Sequence, residues 1–249
     1  MIPSNNPFVI LFKLATRGRP GEFMEAMQSL YSNAADHNNM HVLITAGEDD
    51  PTMNNPEMIR FVKDYKNAHL IFGENSSKSQ ATNRDLDLKN QPWSNYDIIL
   101  NYSDDQRFIM YNFDNEIRTT MNAQFPEFDG LLHYFEPDTG SALAVQYCAG
   151  RAFFEKFGFI AHPAYKSLFW DNWYQDVAKL MCKYHYVGTH IFDHLCPAYG
   201  HHNKPRDAMF DRDQNFWNED EATYYKHKAR NFDLSTDENG QLKFTLRLD

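Results

Sequence analysis

Cysteine is scarce in this chain: Cys148, Cys182 and Cys196 are the three among 249 residues, and they are widely spaced. An odd, scattered set argues against a disulfide scaffold and fits a reducing compartment, so the expected location is cytoplasmic. Long apolar runs are missing too. The longest, residues 8–12, is closed by Lys13 and falls far short of the roughly 20 residues that cross a bilayer. The first seven residues have neither the basic start nor the apolar stretch of a secretory signal, so secretion by that route is not expected. Positive charge is in deficit: 24 Lys and Arg against 34 Asp and Glu leave a formal charge of −10. Such a surface repels a phosphate backbone and weighs against extended nucleic-acid contact. Internal repeats and low-complexity tracts are absent. Hydrophobic residues, in contrast, make up 42% and aromatics 15%, which is ample for a buried core and excludes a disordered chain.

The order of segments predicts an α/β fold. A β-rich run at residues 7–12 ends in Thr16-Arg17-Gly18-Arg19-Pro20, and Pro20 then opens a helix with Phe23, Met27 and Leu30 on one face. The unit recurs with a strand at 41–45, a loop at 47–51, and a helix begun by Asn55-Pro56 that buries Met58, Phe61, Val62 and Tyr65. A third strand at 68–72 leads through a polar loop into a short helix, and a fourth at 97–102 runs straight into Ser103-Asp104-Asp105. Repeated strand–helix units predict a mostly parallel, Rossmann-like sheet with helices on both faces, whose loops converge at the carboxyl ends of the strands. The second half reads as an α+β extension. Strands are expected at 130–135 and 143–147, a helix near 152–157, and another from Asp171 carrying Trp173, Val177 and Leu180. A charged helix from Glu219, with Tyr225, Ala229 and Phe232 on one side, precedes a hairpin turning at Asn239-Gly240, where Leu242, Phe244, Leu246 and Leu248 alternate. The expected division is residues 1–105 for the Rossmann-like half, 106–218 for the second half of the same domain, and 219–249 for the tail.

Asp104 and Asp105 stand where an apolar strand stops, at the rim of the predicted crevice. Adjacent carboxylates are hard oxygen ligands, and with Mg²⁺ or Mn²⁺ they hold a diphosphate whose oxygens complete the shell. A solvated turn is the plain alternative. The three preceding strand–loop–helix units favour a site.

These motifs, in this order, resemble the A-type nucleotide-sugar glycosyltransferases, especially family 2 and its phage-encoded members, over roughly residues 7–200. Thr16, Arg17 and Arg19 match the loop after the family's first strand. Glu48 and Asp49 take the place of its nucleoside-contacting acidic loop, and Lys78 to Arg84, with Asn83, is similar to its helix beside the donor. Ser103-Asp104-Asp105 stands for the metal-binding motif, although the common form is Asp-x-Asp; either Asp104 or Asp105 fits the direct ligand. The resemblance implies that Asp104 contacts the donor, that Asp105 and His194 hold Mn²⁺ or Mg²⁺, and that Asp171 is the general base. Cys196 occupies the position of a second candidate ligand, but a thiolate suits zinc better. It also implies a nucleotide-diphosphate sugar as donor and, as acceptor, a polysaccharide or a modified nucleobase, in a host cytoplasm if the chain is phage-encoded. With Asp171 as base the reaction inverts the anomeric centre. His201, His202, Asn203, Lys204 and Arg206 form a polar loop suited to covering a diphosphate. Two rival readings are a nucleotidyltransferase, which would want more than the single glycine of the first loop, and a non-catalytic carbohydrate- or nucleic-acid-binding module.

Overall fold

A computed structural model describes residues 8–87, 89–198, 203–238 and 242–248. Strand β1 (Ile10–Ala15) leads into helix α1 (Pro20–Asn33), β2 (Met40–Gly47) into α2 (Pro56–Lys63), and β3 (Ala68–Gly73) into α3 (Lys78–Asn83). Strand β4 (Ile98–Ser103) ends at the acidic pair and turns back at once as β5 (Gln106–Phe108). There follow α4 (Phe113–Gln124), β6 (Leu131–Phe135), β7 (Tyr147–Gly150), α5 (Arg151–Phe154), α6 (Trp170–Leu180), β8 (Tyr184–His190) and β9 (Phe192–His194). The chain closes with α7 (Ala208–Gln214), α8 (Trp217–Ala229) and a hairpin of β10 (Leu234–Thr236) with β11 (Leu242–Phe244).

Seven strands form one sheet in the order β3-β2-β1-β4-β7-β6-β8, with β7 antiparallel to both neighbours and the other pairings parallel. Strand β1 is an inner strand between β2 and β4 and is buried on both faces, which is why it reads as a mostly apolar run rather than an alternating one. Ile10, Phe12 and Leu14 pack with Phe23, Met27 and Leu30 of α1 on one face. Leu11 belongs to the opposite layer, with Trp173 and Val177 of α6. Local chemistry starts the helices as the sequence indicated: Pro20 and Pro56 occupy first turns, and the Asn55 side chain caps α2 through the backbone N–H groups of Glu57 and Met58.

Four details depart from the sequence reading. The strand expected at 143–147 begins only at Tyr147, because the Ala144 N–H is drawn away by the Gln175 side chain at 2.8 Å. The buried face of α8 carries Asp220, Tyr224 and His227, while Tyr225 is 59% exposed and Phe232 lies beyond the helix. The tail strand stops at Phe244, since its partner β10 is three residues long, and Leu246 and Leu248 are exposed. The turn pair Asn239-Gly240 lies outside the described residues. Helix α4 and strand β8 were not expected, although Phe113, Ile117 and Met121 show the helical period once α4 is known.

Lys13 closes the apolar run in the sequence, yet β1 continues through it. Its side chain is fully buried and its ammonium donates to Thr45 Oγ1 at 2.9 Å, while burial holds its pKa well below that of an ordinary lysine. A buried amine with one neutral partner contributes little to stability. Replacing Lys13 with Met should therefore leave the thermal midpoint unchanged or raise it. A loss above about 2 kcal/mol in denaturant unfolding would contradict this view of Lys13.

Candidate active site

The site begins with sheet register. Parallel pairing sets Ala15 of β1 opposite Ser103 of β4, so the residues that follow each strand emerge side by side. Thr16 Oγ1 donates to Asp104 Oδ2 at 2.8 Å. Beyond the acidic pair, β5 returns antiparallel to β9, with Gln106 opposite His194 and the Leu195 N–H donating to the Asp105 carbonyl at 2.7 Å. That two-stranded ribbon carries His194 Nε2 to 3.7 Å from Asp105 Oδ1. The resemblance named His194 from its place in sequence; the ribbon is what puts it beside the acid.

The two carboxylates are unlike. Asp104 is engaged on both oxygens, by Thr16 and by Arg19 Nη1 at 3.3 Å, whereas Asp105 Oδ1 is buried and has no hydrogen-bond partner among the described residues. Burial and the neighbouring Asp105 charge raise the Asp104 pKa to about 6. Burial works against Asp105 as well, but His194 and Lys78 outweigh it and hold its carboxyl well below the usual range. An ionised oxygen with an open lone pair facing an imidazole suits a hard divalent cation whose remaining ligands come from a bound substrate. Among the described residues, no group of three or more His, Cys, Asp or Glu side chains is gathered closely enough to hold a metal ion without such help.

Two cavities meet at this point. The first is lined by Thr16, Arg17 and Arg19 from the first loop, Asn75, Ser77 and Lys78 before and within α3, and Met209, Arg212 and Asp213 from α7. The second, about 270 Å³, is lined by Asp105, His194, Cys196, Ser167, Phe169, Asp171 and Trp217 among others; Arg19 and Lys78 border both. Asp171 is thus brought to the same space as the acidic pair. It is half-buried in the first turn of α6, and burial raises its pKa above the ordinary carboxylate value.

Asp171 is positioned from a distance. Phe169, which precedes α6, is held at φ +62°, a left-handed conformation that a bulky residue adopts only when its surroundings impose it. The surroundings are Asp220 of α8, fully buried, whose carboxylate accepts from the backbone N–H groups of Lys166, Ser167 and Leu168 at 2.8, 2.9 and 2.8 Å. No sequence motif marks Asp220; only the packing of α8 against the loop makes its role visible.

Of the remaining sequence candidates, Arg17 forms a two-pronged pair with Asp49 at 2.7 Å on each oxygen. Gly47 makes room for that pair, since a Cβ there would lie 2.6 Å from both Arg17 Nη1 and Asp49 Oδ1. Glu48 and Asp49 are exposed and line neither cavity. Asn83 is turned away from both: its amide oxygen accepts from the Ile160 and Ala161 N–H groups at 2.9 Å, which ties α3 to the loop before α6. Lys204 lies 4.0 Å from Glu22, and Arg206 pairs with Asp211; His201 and His202 fall outside the described residues. Sequence reading missed Asp207 and Asp213, which meet Arg19 and Lys78 at 2.7 and 3.3 Å.

No protein-family model and no curated protein sequence matches the chain. Solved structures do. Staphylococcus aureus TarS, residues 1–349 in complex with UDP-GlcNAc, superposes with a TM-score of 0.58 at 10% identity, over 82% of this chain and 64% of that one. The mannosyltransferase PcManGT of Pyrobaculum calidifontis, in complex with GDP-Man and Mn²⁺, gives 0.58 at 12% identity, over 81% and 60%. The fold is that of the A-type glycosyltransferases. The chain spans about 60% of the length of these neighbours. No described helix is long and apolar enough to cross a membrane.

Replacing Asp220 with Ala would leave three backbone donors beneath Asp171 without their charged acceptor. The expected loss is about 2–4 kcal/mol of stability. A D220A protein with an unchanged unfolding midpoint would show that the 166–168 loop is held by other contacts.

Proposed function

We propose that this protein is a glycosyltransferase that moves a sugar from a nucleoside diphosphate to an acceptor hydroxyl, with inversion, using a divalent cation at Asp105 and His194 and Asp171 as general base. The observation that carries the proposal is one shared cavity. It brings together Asp105, whose Oδ1 accepts no hydrogen bond among the described residues, His194 and the half-buried, raised-pKa carboxylate of Asp171, with Arg19 and Lys78 in the same lining. The nucleotide sugars bound to structures of this fold, UDP-GlcNAc and GDP-Man, support the donor class, and the Mn²⁺ beside GDP-Man supports the cation.

Asp105 would supply a carboxylate oxygen and His194 a ring nitrogen, donors that fit Mn²⁺ or Mg²⁺. When bound, such a cation supplies charge stabilisation for the departing diphosphate. Arg19 and Lys78 add fixed positive charge on the same side. Asp104 does not act as a ligand in this scheme, because Thr16 and Arg19 already occupy its oxygens. It orients Arg19 instead. On the far side of the cavity Asp171 accepts the proton of the acceptor hydroxyl as its oxygen closes on the anomeric carbon. With Asp171 taking the proton, the acceptor oxygen attacks the anomeric carbon directly, which is a single displacement and hence inverts it. Cys196 borders the cavity with its thiol pKa raised by burial, so it stays protonated near neutrality and is a poor ligand for hard cations.

Three outcomes test the proposal. Asp105→Ala should abolish transfer and donor hydrolysis supported by Mn²⁺, and excess chelator should do the same to the unaltered protein. Full turnover in chelator would remove the cation from the mechanism. Asp171→Asn should lower kcat by roughly 10²- to 10⁴-fold while retaining donor binding by calorimetry. A base must be ionised to accept a proton, so raising its pKa moves the acid limb upward. The logarithm of kcat/KM should accordingly fall with decreasing pH at a midpoint above the 3.8 of an ordinary aspartate, and the limb should disappear in Asp171→Asn.

A further inference from the structure

The cations assigned above to the donor already have anions, and the chain itself provides them. Arg19 Nε and Nη2 donate to the two carboxylate oxygens of Asp207 at 2.7 Å each, the forked geometry that guanidinium groups also offer to phosphate. Lys78 Nζ lies 3.3 Å from Asp213. Both acids belong to one short helix: Asp207 is the N-cap of α7, accepting from the Phe210 N–H at 2.7 Å, and Asp213 lies in its last turn. Between them Met209 reaches the Gly18 loop, 3.7 Å from where a Cβ on Gly18 would stand. Helix α7 therefore forms a wall of the first cavity.

The way α7 is attached is the second observation. None of its residues is buried, so no apolar anchor fixes it to the body of the fold. Ion pairs and the Met209 contact attach it, so undocking α7 uncovers no buried apolar face of the helix itself. A diphosphate presents its non-bridging oxygens from a single linked group, so one ligand can meet Arg19 and Lys78 together and replace two separate carboxylates.

We propose that Asp207 and Asp213 are internal anions occupying the diphosphate's counter-charges, and that a nucleoside diphosphate binds by displacing α7 from Arg19 and Lys78. The inference rests on the proposed function, since it takes these two cations as the diphosphate's. It adds that the two cations at the donor cavity are paired with the chain's own carboxylates before substrate arrives. The apparent affinity is then reduced by the fraction of molecules in which α7 is docked.

The test is calorimetric titration of the full chain with inorganic pyrophosphate and Mg²⁺. Asp207→Asn and Asp213→Asn keep the shape of each side chain, and Asn still caps α7. If the two carboxylates compete with the ligand, each substitution should tighten pyrophosphate binding, about threefold or more, and the double variant further. A second readout is limited trypsin cleavage after Arg206, whose side chain is 62% exposed, and Arg212; pyrophosphate should accelerate it. Unchanged or weakened binding in the Asn variants, or cleavage slowed by pyrophosphate, overturns the displacement. Such a result, with pyrophosphate binding still lost in Arg19→Gln, would leave the proposed function standing. Failure of pyrophosphate to bind the unaltered protein and every variant would remove the donor site and the displacement together.

Discussion

The pairing of β1 with β4 is the constraint on which the site depends. Because Ala15 and Ser103 are opposite one another in a parallel pair, Thr16 and Asp104 leave the sheet within hydrogen-bonding distance. The acidic pair is then delivered to the cavity with one member tied and the other open. A slip of one residue would turn these side chains to the opposite face of the sheet. The buried faces of β1 resist it, since Ile10, Phe12 and Leu14 would have to exchange layers with Leu11 and Lys13.

Around that pair the chain builds by return rather than by addition. Strand β5 turns back from Asp105 to meet β9, and this contact across some ninety residues of sequence sets His194 beside the acid. Helix α8 folds back in the same way, so that Asp220 holds the loop whose strained Phe169 precedes Asp171. Each half of the cavity is thus supported by a segment later in the chain, which makes the geometry a property of the assembled domain and not of any one strand–helix unit.

Charge within the cavity is managed by sharing, since carboxylates outnumber cations there. Four carboxylates, Asp104, Asp105, Asp207 and Asp213, surround the cations Arg19 and Lys78, with His194 at the margin. Desolvation makes an unpaired charge expensive there, and the structure answers by sharing Arg19 between Asp104 and Asp207. The same sharing links the acidic pair to α7 through one guanidinium, so a change of charge at either end is felt at the other.

Local pattern determined a good part of this protein. Apolar runs closed by Gly and Pro, prolines at helix starts and the helical period of residues 23–30 give the first three strand–helix units and the arrival of Asp104-Asp105 at a strand end. Those features are legible because each is decided by residues within a few positions of one another. What remained for tertiary structure is of another kind. Gln175 reaching Ala144 shortens a strand, Asn83 is claimed by a distant loop, Asp207 and Asp213 find Arg19 and Lys78, and Asp220 caps a segment more than fifty residues earlier. Each is a polar side chain whose partner is chosen by where helices and loops pack, and that choice rests on burial and geometry that no local pattern encodes.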